Sequence, residues 1–467
     1  MDALSLRSLA RLLYLQGRGA SGLRGDRVAV RVTFIWPRSR EFPVYERLVP
    51  TLTIPYLAAL TPPHWEVTFA DDNYGEVDLD ARPDLVAISV STMAAVRAYA
   101  LADAFRARGV PVVLGGWHVS LCPDDGEAAS HADAVVVGEA DDTWPALLDD
   151  FERGRLKPRY VSHNGTDLAG YPRLDRGLLD GRKYLTTNLV QATRGCPYRC
   201  SFCSVSALNP KYRRRPVDDV VAEVTRLRGR SLFFIDDNLL VHREYSRRLF
   251  AALAPLGKKW IGEVSIDIAD DPELLDLAAA SGLVGVLVGF ESILPQSIGE
   301  MNKDQTNAVE RYKAQVHALQ RRGIGVLAMF TFGFDHDTPD VFERTLAFCD
   351  DADIFAASFG ILTPFPGTPT FDRLEAEGRI RSRDWQRYDL QHLVHDLPGW
   401  TPERLQAAVR DVEARFYGWG SFVRRTWKLR RYPRLVRPAS LLLYLVVNLQ
   451  YVTTFRRRRR ALAVPLA

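Results

Sequence analysis

Residues 193–203 have the sequence Thr-Arg-Gly-Cys-Pro-Tyr-Arg-Cys-Ser-Phe-Cys and hold three of the five cysteines of the chain, spaced CxxxCxxC. Thiolates are soft ligands that suit iron–sulfur clusters, zinc or copper(I). A cuboidal cluster has four irons, so three cysteines leave one iron open to a substrate. Zinc sites usually combine CxxC pairs with a fourth Cys or His, whereas Cys122 and Cys349 are distant singletons. The spacing therefore favours a cluster with an open iron over a zinc site or a redox pair.

This motif, with the aromatic Phe202 before its last cysteine and an apolar segment before it, resembles the radical S-adenosylmethionine (radical SAM) superfamily. The resemblance implies that Cys196, Cys200 and Cys203 hold a 4Fe–4S cluster whose open iron chelates the amino and carboxylate groups of SAM. It also implies that the reduced cluster cleaves a carbon–sulfur bond and releases a 5′-deoxyadenosyl radical. Phe202 is then expected near the adenine.

Composition and charge define the broad class of the protein. A length of 467 residues predicts two or three domains, and 47% hydrophobic with 25% charged residues is ordinary for a soluble globular protein. The cysteines show no disulfide-like spacing, which indicates a reducing compartment. Thirteen Lys and Arg but no acidic residue follow Glu413, so a basic tail is attached to an acidic body. This asymmetry predicts an anionic surface as the partner of the tail.

Strands alternate with helices in the first part of the chain. Strands are predicted at 28–36, 65–70, 85–90, 110–114 and 134–137, with helices at 54–60 and 94–108. This alternation predicts right-handed βαβ units and a doubly wound parallel sheet of the α/β class. Ligands of such sheets lie outside the carboxyl ends of the strands.

Small residues occur at three of those strand ends, where backbone can approach a ligand closely. With the barrel-type domain that follows, they resemble the cobalamin-binding domain fused to many radical SAM enzymes. The resemblance implies that the cobalamin site includes Ser89, Ser91, Gly115, Gly116, Gly138 and Glu139. No Asp-x-His-x-x-Gly motif occurs, so no histidine is expected on the lower face of the cobalamin. Trp117 and His118 either line the corrin or fill the domain interface.

A second series of strands is predicted at 189–192, 231–235, 260–268, 284–288, 324–332 and 356–362. The cysteine motif follows the carboxyl end of the first of these strands, 189–192. In (β/α) barrels the active site lies at the carboxyl ends of the strands. Polar groups at later strand ends are costly to bury unless they bind something. They are Asp236 and Asp237, then Glu263, Ser265 and Asp267 on one face of the 260–268 strand, and then Glu291.

Four segments resemble, in order, the strand-end motifs of cobalamin-dependent radical SAM proteins: residues 234–238 (FIDDN), 289–292 (GFES), 333–338 (GFDHDT) and 363–369 (TPFPGTP). The resemblance implies a partial six-stranded (β/α) barrel. It assigns SAM contacts to Asp236, Asp237, Ser265 and Glu291. Asp337 or Thr338 is predicted to cap the following helix, in preference to a metal role for His336.

The predicted division of the chain is an N-terminal extension (1–26), a cobalamin-binding domain (27–155), a linker (156–183), the barrel (184–370) and a helical C-terminal region (371–467). The extension is expected to pack as a short helix against the body. Residues 438–455 are uncharged and barely long enough to span a membrane. They are predicted to lie on an anionic membrane surface or to dock on the barrel. Nucleic acid is not an expected partner.

The resemblance implies a cobalamin-dependent radical SAM C-methyltransferase that acts on an unactivated carbon of a small-molecule or lipid substrate. It needs an external electron donor such as flavodoxin or ferredoxin. One alternative is an oxidative cyclase or ring-rearranging enzyme with the same cofactors. A second is a non-catalytic cobalamin-binding regulator with a zinc site. The expected location is cytoplasmic, with peripheral contact to the inner face of the membrane.

Overall fold

The computed structural model describes residues 29–39, 49–124, 126–162 and 165–462, with side chains as far as residue 452. This part of the chain contains two six-stranded parallel sheets that follow one another in sequence. The helix predicted within residues 1–26 lies outside the described residues.

The first sheet has the strand order β2-β1-β3-β4-β5-β6, with all neighbours parallel. Alternate strand residues join two apolar clusters on its opposite faces, which explains the nearly continuous apolar runs. The strand order reverses between β1 and β3, the position where such sheets bind ligands. This confirms the predicted doubly wound sheet. The elements are β1 (Arg31–Trp36), α1 (Thr53–Ala59), β2 (Glu66–Asp71), β3 (Leu85–Ser89), α2 (Ala95–Ala107), β4 (Val112–Gly115), α3 (Trp117–Leu121), α4 (Glu127–His131), β5 (Ala134–Val137), α5 (Ala140–Glu152) and β6 (Arg159–Val161).

Strand β6 lies in the segment 156–183, which the sequence analysis predicts as a linker. Only Tyr160 of its three residues is buried, so the strand gives almost no apolar signal in the sequence. The Tyr160 hydroxyl donates to the carboxylate of Asp150 at 3.1 Å, which ties β6 to α5.

The strands of the second sheet lie in chain order, β7-β10-β11-β12-β13-β14, and all pairs are parallel. The predicted number of strands is confirmed, whereas curvature into a partial barrel stays a prediction. A two-stranded antiparallel ribbon, β8–β9, brackets the cysteine motif. The strands are β7 (Leu189–Val190), β8 (Thr193–Arg194), β9 (Arg213–Arg214), β10 (Ser231–Phe234), β11 (Lys259–Glu263), β12 (Leu283–Glu291), β13 (Gly325–Phe332) and β14 (Ala356–Ile361).

The strand predicted at 260–268 is wrong in its second half. Strand β11 ends at Glu263, and a 3-10 turn covers Ile266–Asp270. Ser265 and Asp267 therefore do not share a strand face with Glu263. The turn buries both Ile266 and Ile268. Two apolar residues spaced two apart therefore reflect a buried turn here and not a strand.

The helices of the second part surround this sheet. They are α6 (Ser204–Leu208), α7 (Val217–Arg226), α8 (Arg243–Leu253), α9 (Pro272–Ala280), α10 (Pro295–Glu300), α11 (Tyr312–Arg321), α12 (Val341–Asp351), α13 (Pro369–Ala376), α14 (Pro402–Phe416), α15 (Trp419–Lys428) and α16 (Pro438–Leu462).

Helix α16 docks at the amino ends of the second sheet's strands. The Ser440 hydroxyl donates to the Gly323 carbonyl just before β13, and the Asn448 side chain donates to the Phe355 carbonyl just before β14. Over residues 438–452 the structure therefore shows the docked alternative. Within the described ranges, every helix is too short or too polar to cross a membrane.

Candidate active site

The cysteine loop, residues 195–203, leaves ribbon β8–β9 through a glycine that the backbone requires. Gly195 has a φ of +86°, and a Cβ there would collide with the carbonyl oxygens of Lys211 and Asn209. The next amide, that of Cys196, donates to the Asn209 carbonyl at 3.1 Å. The start of the loop is thus fixed to the segment that precedes β9.

The far end of the loop is fixed to the second sheet's later connections. The Ser201 amide donates to the Met301 carbonyl at 3.0 Å, and the Ser201 carbonyl accepts from the Thr370 amide at 2.9 Å. Phe202 packs on a small apolar cluster formed by Ile298, Met301, Phe334 and Leu362. The backbone that carries the three thiols is therefore held at both ends.

The three cysteine side chains are partly buried. Loss of hydration raises the pKa of Cys196 to about 12 and that of Cys200 to about 11, and it also raises the pKa of Cys203. Thiols in this state are poor free nucleophiles at neutral pH and lose their protons when metal binds. In the described residues, no group of three or more His, Cys, Asp or Glu converges on a single metal ion. Three thiolates on one short loop are the soft donor set that an iron–sulfur cluster takes, with each thiolate on a different iron.

Asp236 and Asp237 anchor the strand that leads into the loop. Asp236 Oδ1 accepts from the amides of Ala192 (3.0 Å) and Thr193, and from the Thr193 hydroxyl at 2.6 Å. Asp237 accepts from the Gly195 amide at 2.8 Å. Burial raises the pKa of both carboxyl groups. Because internal donors already occupy these carboxylates, the structure shows them as supports of the loop, and their contacts with SAM stay a prediction.

Glu291, at the carboxyl end of β12, is paired with a lysine that sequence analysis missed. Lys303 Nζ lies 2.5 Å from Glu291 Oε1, and the Thr331 hydroxyl donates to Glu291 Oε2 at 3.1 Å. Glu291 has a φ of +61°, a strained conformation that often marks functional sites. A Cβ on Gly289 would overlap the Glu291 carboxylate and lie 2.6 Å from Lys303 Nζ. Gly289 therefore leaves space for this ion pair.

Lys303 links the pair to the cysteine loop. Its ammonium lies 6.0 Å from the centre of the Phe202 ring. Burial alone would lower the pKa of Lys303, but Glu291 and then Cys200 raise it, so the side chain is charged at neutral pH. The lysine follows Glu291 at no motif spacing, and its sequence neighbours Asn302 and Asp304 are polar, so the local sequence does not distinguish it from a surface lysine.

Glu263 adds a further carboxyl group to this region. Protein atoms surround it at depth, and the resulting desolvation, together with the charge of Asp237, raises its pKa to about 8. Glu263 is nevertheless exposed to solvent. Ser265, two residues on, accepts a hydrogen bond from the Asn238 amide at 2.5 Å.

A cavity of about 270 Å³ lies at the carboxyl ends of the first sheet's strands. Five of the six residues predicted for the cobalamin site line it: Ser89, Gly115, Gly116, Gly138 and Glu139. Ser91 does not line it, and begins the next turn. The opposite wall includes Gln191 and Arg194 of the second part of the chain. The cavity therefore adjoins the cysteine loop, because Arg194 is two residues before its first cysteine.

The two adjacent glycines at the end of β4 differ in what they require. Gly116 has a φ of +100°, and a Cβ there would lie 2.7 Å from the backbone nitrogen and oxygen of Val90. A Cβ on Gly115 would meet only Val136, at ordinary distances of 3.5 Å from its Cβ and 3.7 Å from its carbonyl oxygen. The fold therefore requires glycine at position 116, where the backbone packs closely against Val90. The missing side chain also lets a ligand approach the backbone.

Trp117 and His118 fill an interface, which was one of the two predicted alternatives. Trp117 packs edge-on against Phe365 at 4.9 Å, and His118 packs edge-on against Trp385 at 5.2 Å. Burial lowers the pKa of His118 to about 4, so its ring is neutral. Neither residue lines the cavity. The absence of a histidine ligand on the cobalamin stays a prediction.

The predicted capping of α12 by Asp337 or Thr338 is wrong. The helix begins at Val341, and its cap position is Asp340, which makes no side-chain capping bond. Asp337 instead accepts from the Gly333 amide at 2.8 Å and from the Ser297 hydroxyl at 3.0 Å. The carboxylate closes the preceding loop, an arrangement that local sequence does not distinguish from a cap.

Known families and relatives match both parts of the chain. Residues 190–349 match the radical SAM superfamily, and residues 44–148 match the B12 binding domain. A bacteriochlorophyllide d C-8(2)-methyltransferase of Chlorobaculum tepidum is 31% identical over 79% of this chain and 86% of its own length. The chain belongs to the cobalamin-dependent radical SAM methyltransferases. The hopanoid C-2 methylase of Rhodopseudomonas palustris, another similar protein, is 29% identical over 77% of this chain and 70% of its own.

Solved structures share the fold of this radical SAM methyltransferase. The methyltransferase TsrM from Kitasatospora setae, with cobalamin and a [4Fe-4S] cluster bound, aligns with a TM-score of 0.63 at 18% identity, over 88% of this chain and 90% of that one. OxsB, with aqua-cobalamin and S-adenosylmethionine bound, aligns with a TM-score of 0.65 at 14% identity, over 94% of this chain and 78% of that one. The cofactors of this radical SAM methyltransferase are a 4Fe–4S cluster, SAM and cobalamin. The non-catalytic zinc regulator is thereby set aside.

Proposed function

We propose that this enzyme methylates an unactivated carbon of a hydrophobic ring-system substrate held between the cysteine loop and the cavity. One observation carries the proposal: the cavity wall is built from strand ends of both sheets, including Glu139 just after β5 of the first sheet and Gln191 just after β7 of the second. A substrate at this junction can reach both cofactors. The relatives that act on bacteriochlorophyllide and hopanoid support the substrate class, since both substrates are fused-ring and hydrophobic.

In this proposal Cys196, Cys200 and Cys203 hold the cluster. Lys303 and Glu291 bind the methionine end of SAM, because an ammonium beside a carboxylate complements the carboxylate and ammonium of that group. The Phe202 ring then packs near the adenine.

For cobalamin, we propose that the strand ends lining the cavity form the binding site: Ser89, Gly115, Gly116, Gly138 and Glu139. Gly116 brings backbone close to the ligand without a side chain. Asp236 and Asp237 keep the cysteine loop in place from below, by the hydrogen bonds described above.

When bound, the cluster with SAM supplies hydrogen abstraction and cobalamin supplies the methyl group. The net reaction replaces a C–H bond by a C–CH3 bond. It consumes two SAM molecules and two electrons, and it releases 5′-deoxyadenosine, methionine and S-adenosylhomocysteine. A flavodoxin or ferredoxin supplies the electrons. The protein orients the substrate and excludes water from the junction.

An anaerobic assay tests this function. The reconstituted enzyme is incubated with methyl-deuterated SAM, a reductant and either a bacteriochlorophyllide or a hopanoid. We expect 5′-deoxyadenosine together with a product that has gained a deuterated methyl group. Methylated product without 5′-deoxyadenosine contradicts the radical step.

Oxidative cyclisation is the second candidate function. It is favoured by a magnesium-protoporphyrin IX monomethyl ester cyclase of Rubrivivax gelatinosus, which is 27% identical over 68% of this chain and 63% of its own length. The same assay separates the two reactions, because cyclisation gives a product that has lost hydrogens and gained no methyl group.

We further propose that helix α15 docks on an anionic membrane. Trp419, Val423 and Trp427 are 54%, 62% and 63% exposed, and their four-residue spacing places them on one helix face. The Arg430 guanidinium lies 3.6 Å above the Trp427 ring. Anionic headgroups attract each nearby basic residue with about 1 kcal/mol, and the tail after Glu413 has only basic charges.

Vesicle sedimentation tests this surface. At low salt we expect the protein to sediment with phosphatidylglycerol vesicles and not with phosphatidylcholine vesicles. The variant Trp419→Ser/Trp427→Ser should lose this binding. Leu185→Ser, which removes an exposed apolar side chain elsewhere, should retain it. A wild-type protein that stays in the supernatant with phosphatidylglycerol refutes membrane docking.

A further inference from the structure

Two arginines of ribbon β8–β9 lie between the cysteine loop and the first sheet. Arg194 and Arg213 are directly opposite each other in the antiparallel register. Like charges in this position repel, so the ribbon needs acidic neighbours. Glu139 and Asp141, at the amino end of α5, provide them.

The contacts among these four side chains are close. Arg194 Nη1 lies 2.8 Å from the Asp141 carboxylate and 3.7 Å from that of Glu139. Arg213 makes a forked contact with Glu139, with Nη1 donating at 2.6 Å. Tyr56 supports the group, since its hydroxyl donates to Asp141 and its ring centre lies 5.2 Å from the Arg194 guanidinium. We call Arg194, Arg213, Glu139 and Asp141 the charged bridge.

The charged bridge is buried, with each of its side chains at most 12% exposed. Burial alone would lower the pKa of Arg194, but the charge of Asp141 raises it above its ordinary value. Buried ion pairs add little net stability compared with apolar packing, and their best-attested use is to fix the register of two elements. The burial therefore suggests a positional role.

Each end of the charged bridge is adjacent in sequence to residues of a cofactor site. Glu139 directly follows Gly138, which lines the cavity at the end of β5. Arg194 is separated from Cys196 only by Gly195, whose backbone is fixed. A movement of the β5 end relative to the cysteine loop would break the contacts of the bridge.

We propose that the charged bridge is a positioning device that sets the separation of the cobalamin site from the cysteine loop. With the bridge intact, the carbon that loses its hydrogen lies within reach of the methyl donor. With the bridge broken, SAM is still cleaved, but the methyl group is not delivered. This inference rests on the proposed function for its catalytic consequence and on the contacts above for its structural one.

Arg213→Gln is the main test, because Arg213 does not line the cavity. Arg213→Lys keeps the positive charge but cannot make the two-nitrogen contact with the Glu139 carboxylate. The matched control is Arg153→Gln, which removes an exposed pair with Asp149 at the other end of α5. Should Arg213→Gln fail to fold, Arg213→Lys is the test, because it keeps the charge and removes only the forked contact with Glu139.

Two quantities are measured on the full chain with its iron–sulfur cluster reconstituted anaerobically, the first of them with cobalamin present. The first is the ratio of methylated product to 5′-deoxyadenosine. The second is hydrogen exchange in residues 195–203 with and without added hydroxocobalamin. In wild type and Arg153→Gln we expect cobalamin to slow that exchange. In Arg213→Gln we expect no slowing and a ratio lower by about 100-fold, as for a reacting group misplaced by about 1 Å. Arg213→Lys should fall between.

The outcomes separate the two claims. Equal losses of product and 5′-deoxyadenosine, or an exchange response like that of wild type, refute the positioning role. If wild type forms no methylated product but the exchange response is lost only when the bridge is broken, the proposed function fails and the charged bridge stands.

Discussion

Gly116 gives the sharpest test of the first domain because its backbone excludes any side chain. Its φ of +100° and ψ of −179° lie in a region that is essentially restricted to glycine. A Cβ there would lie 2.7 Å from backbone atoms of Val90, which directly follows β3, is fully buried and is held by backbone hydrogen bonds to Gly115 and His118. Backbone strain of about 1–3 kcal/mol adds to overpacking of about 1–3 kcal/mol. We therefore expect Gly116→Ala to lower the free energy of unfolding by about 2–6 kcal/mol.

Thermal unfolding and cobalamin titration measure this effect. The Tm of the first transition should fall by about 10 °C, and hydroxocobalamin should bind more weakly, as followed by its absorbance. The matched control is Gly115→Ala, whose Cβ would meet only Val136, at 3.5 Å or more. Its unfolding free energy should change by less than about 0.5 kcal/mol. Equal Tm values for the two variants would refute the steric argument.

Three further predictions concern the second domain. Lys303→Gln removes the ammonium beside Glu291, so we expect the dissociation constant for SAM to rise about 30-fold in calorimetric titration. Gly289→Ala should also weaken SAM binding by displacing Glu291 and Lys303, whereas Gly299→Ala, whose Cβ meets nothing within 4 Å, should not; equal affinities would contradict this. Burial raises the pKa of Asp236 from 3.8 to about 7, so the stability it contributes is complete below pH 3.8 and is lost as the pH rises through 7. Asp236→Asn should remove that loss from the pH profile of the urea midpoint, and a variant profile that still falls over this range would contradict the assignment.

The sequence predicted most of the secondary structure because buried parallel strands leave an unmistakable apolar run. Residues 134–137 match strand β5 to the residue, and 85–90 differs from β3 by one. The same rule failed at 260–268, where Ile266 and Ile268 are buried by a turn. Alternating apolar residues indicate which side chains are buried, and at 266 and 268 a 3-10 turn buries them without a strand.

The candidate site was predictable only where one short segment carries the chemistry. The cysteine motif and the glycines at strand ends are local signals, and the glycines were found lining the cavity. Lys303 and the charged bridge could not be predicted, because their partners are distant in sequence. Arg213 and Glu139, for example, meet only when the two sheets are assembled. Glu139 was predicted at the cobalamin site, but nothing in the local sequence of either residue indicates their contact.

The most direct test of the central claim is electron paramagnetic resonance of the anaerobically reconstituted and reduced protein, with and without SAM. The account predicts a signal from a reduced 4Fe–4S cluster that changes when SAM binds at the open iron. The signal should disappear when Cys196, Cys200 and Cys203 are all replaced by alanine. A cluster signal that SAM leaves unchanged, or that survives the loss of all three thiols, would contradict it.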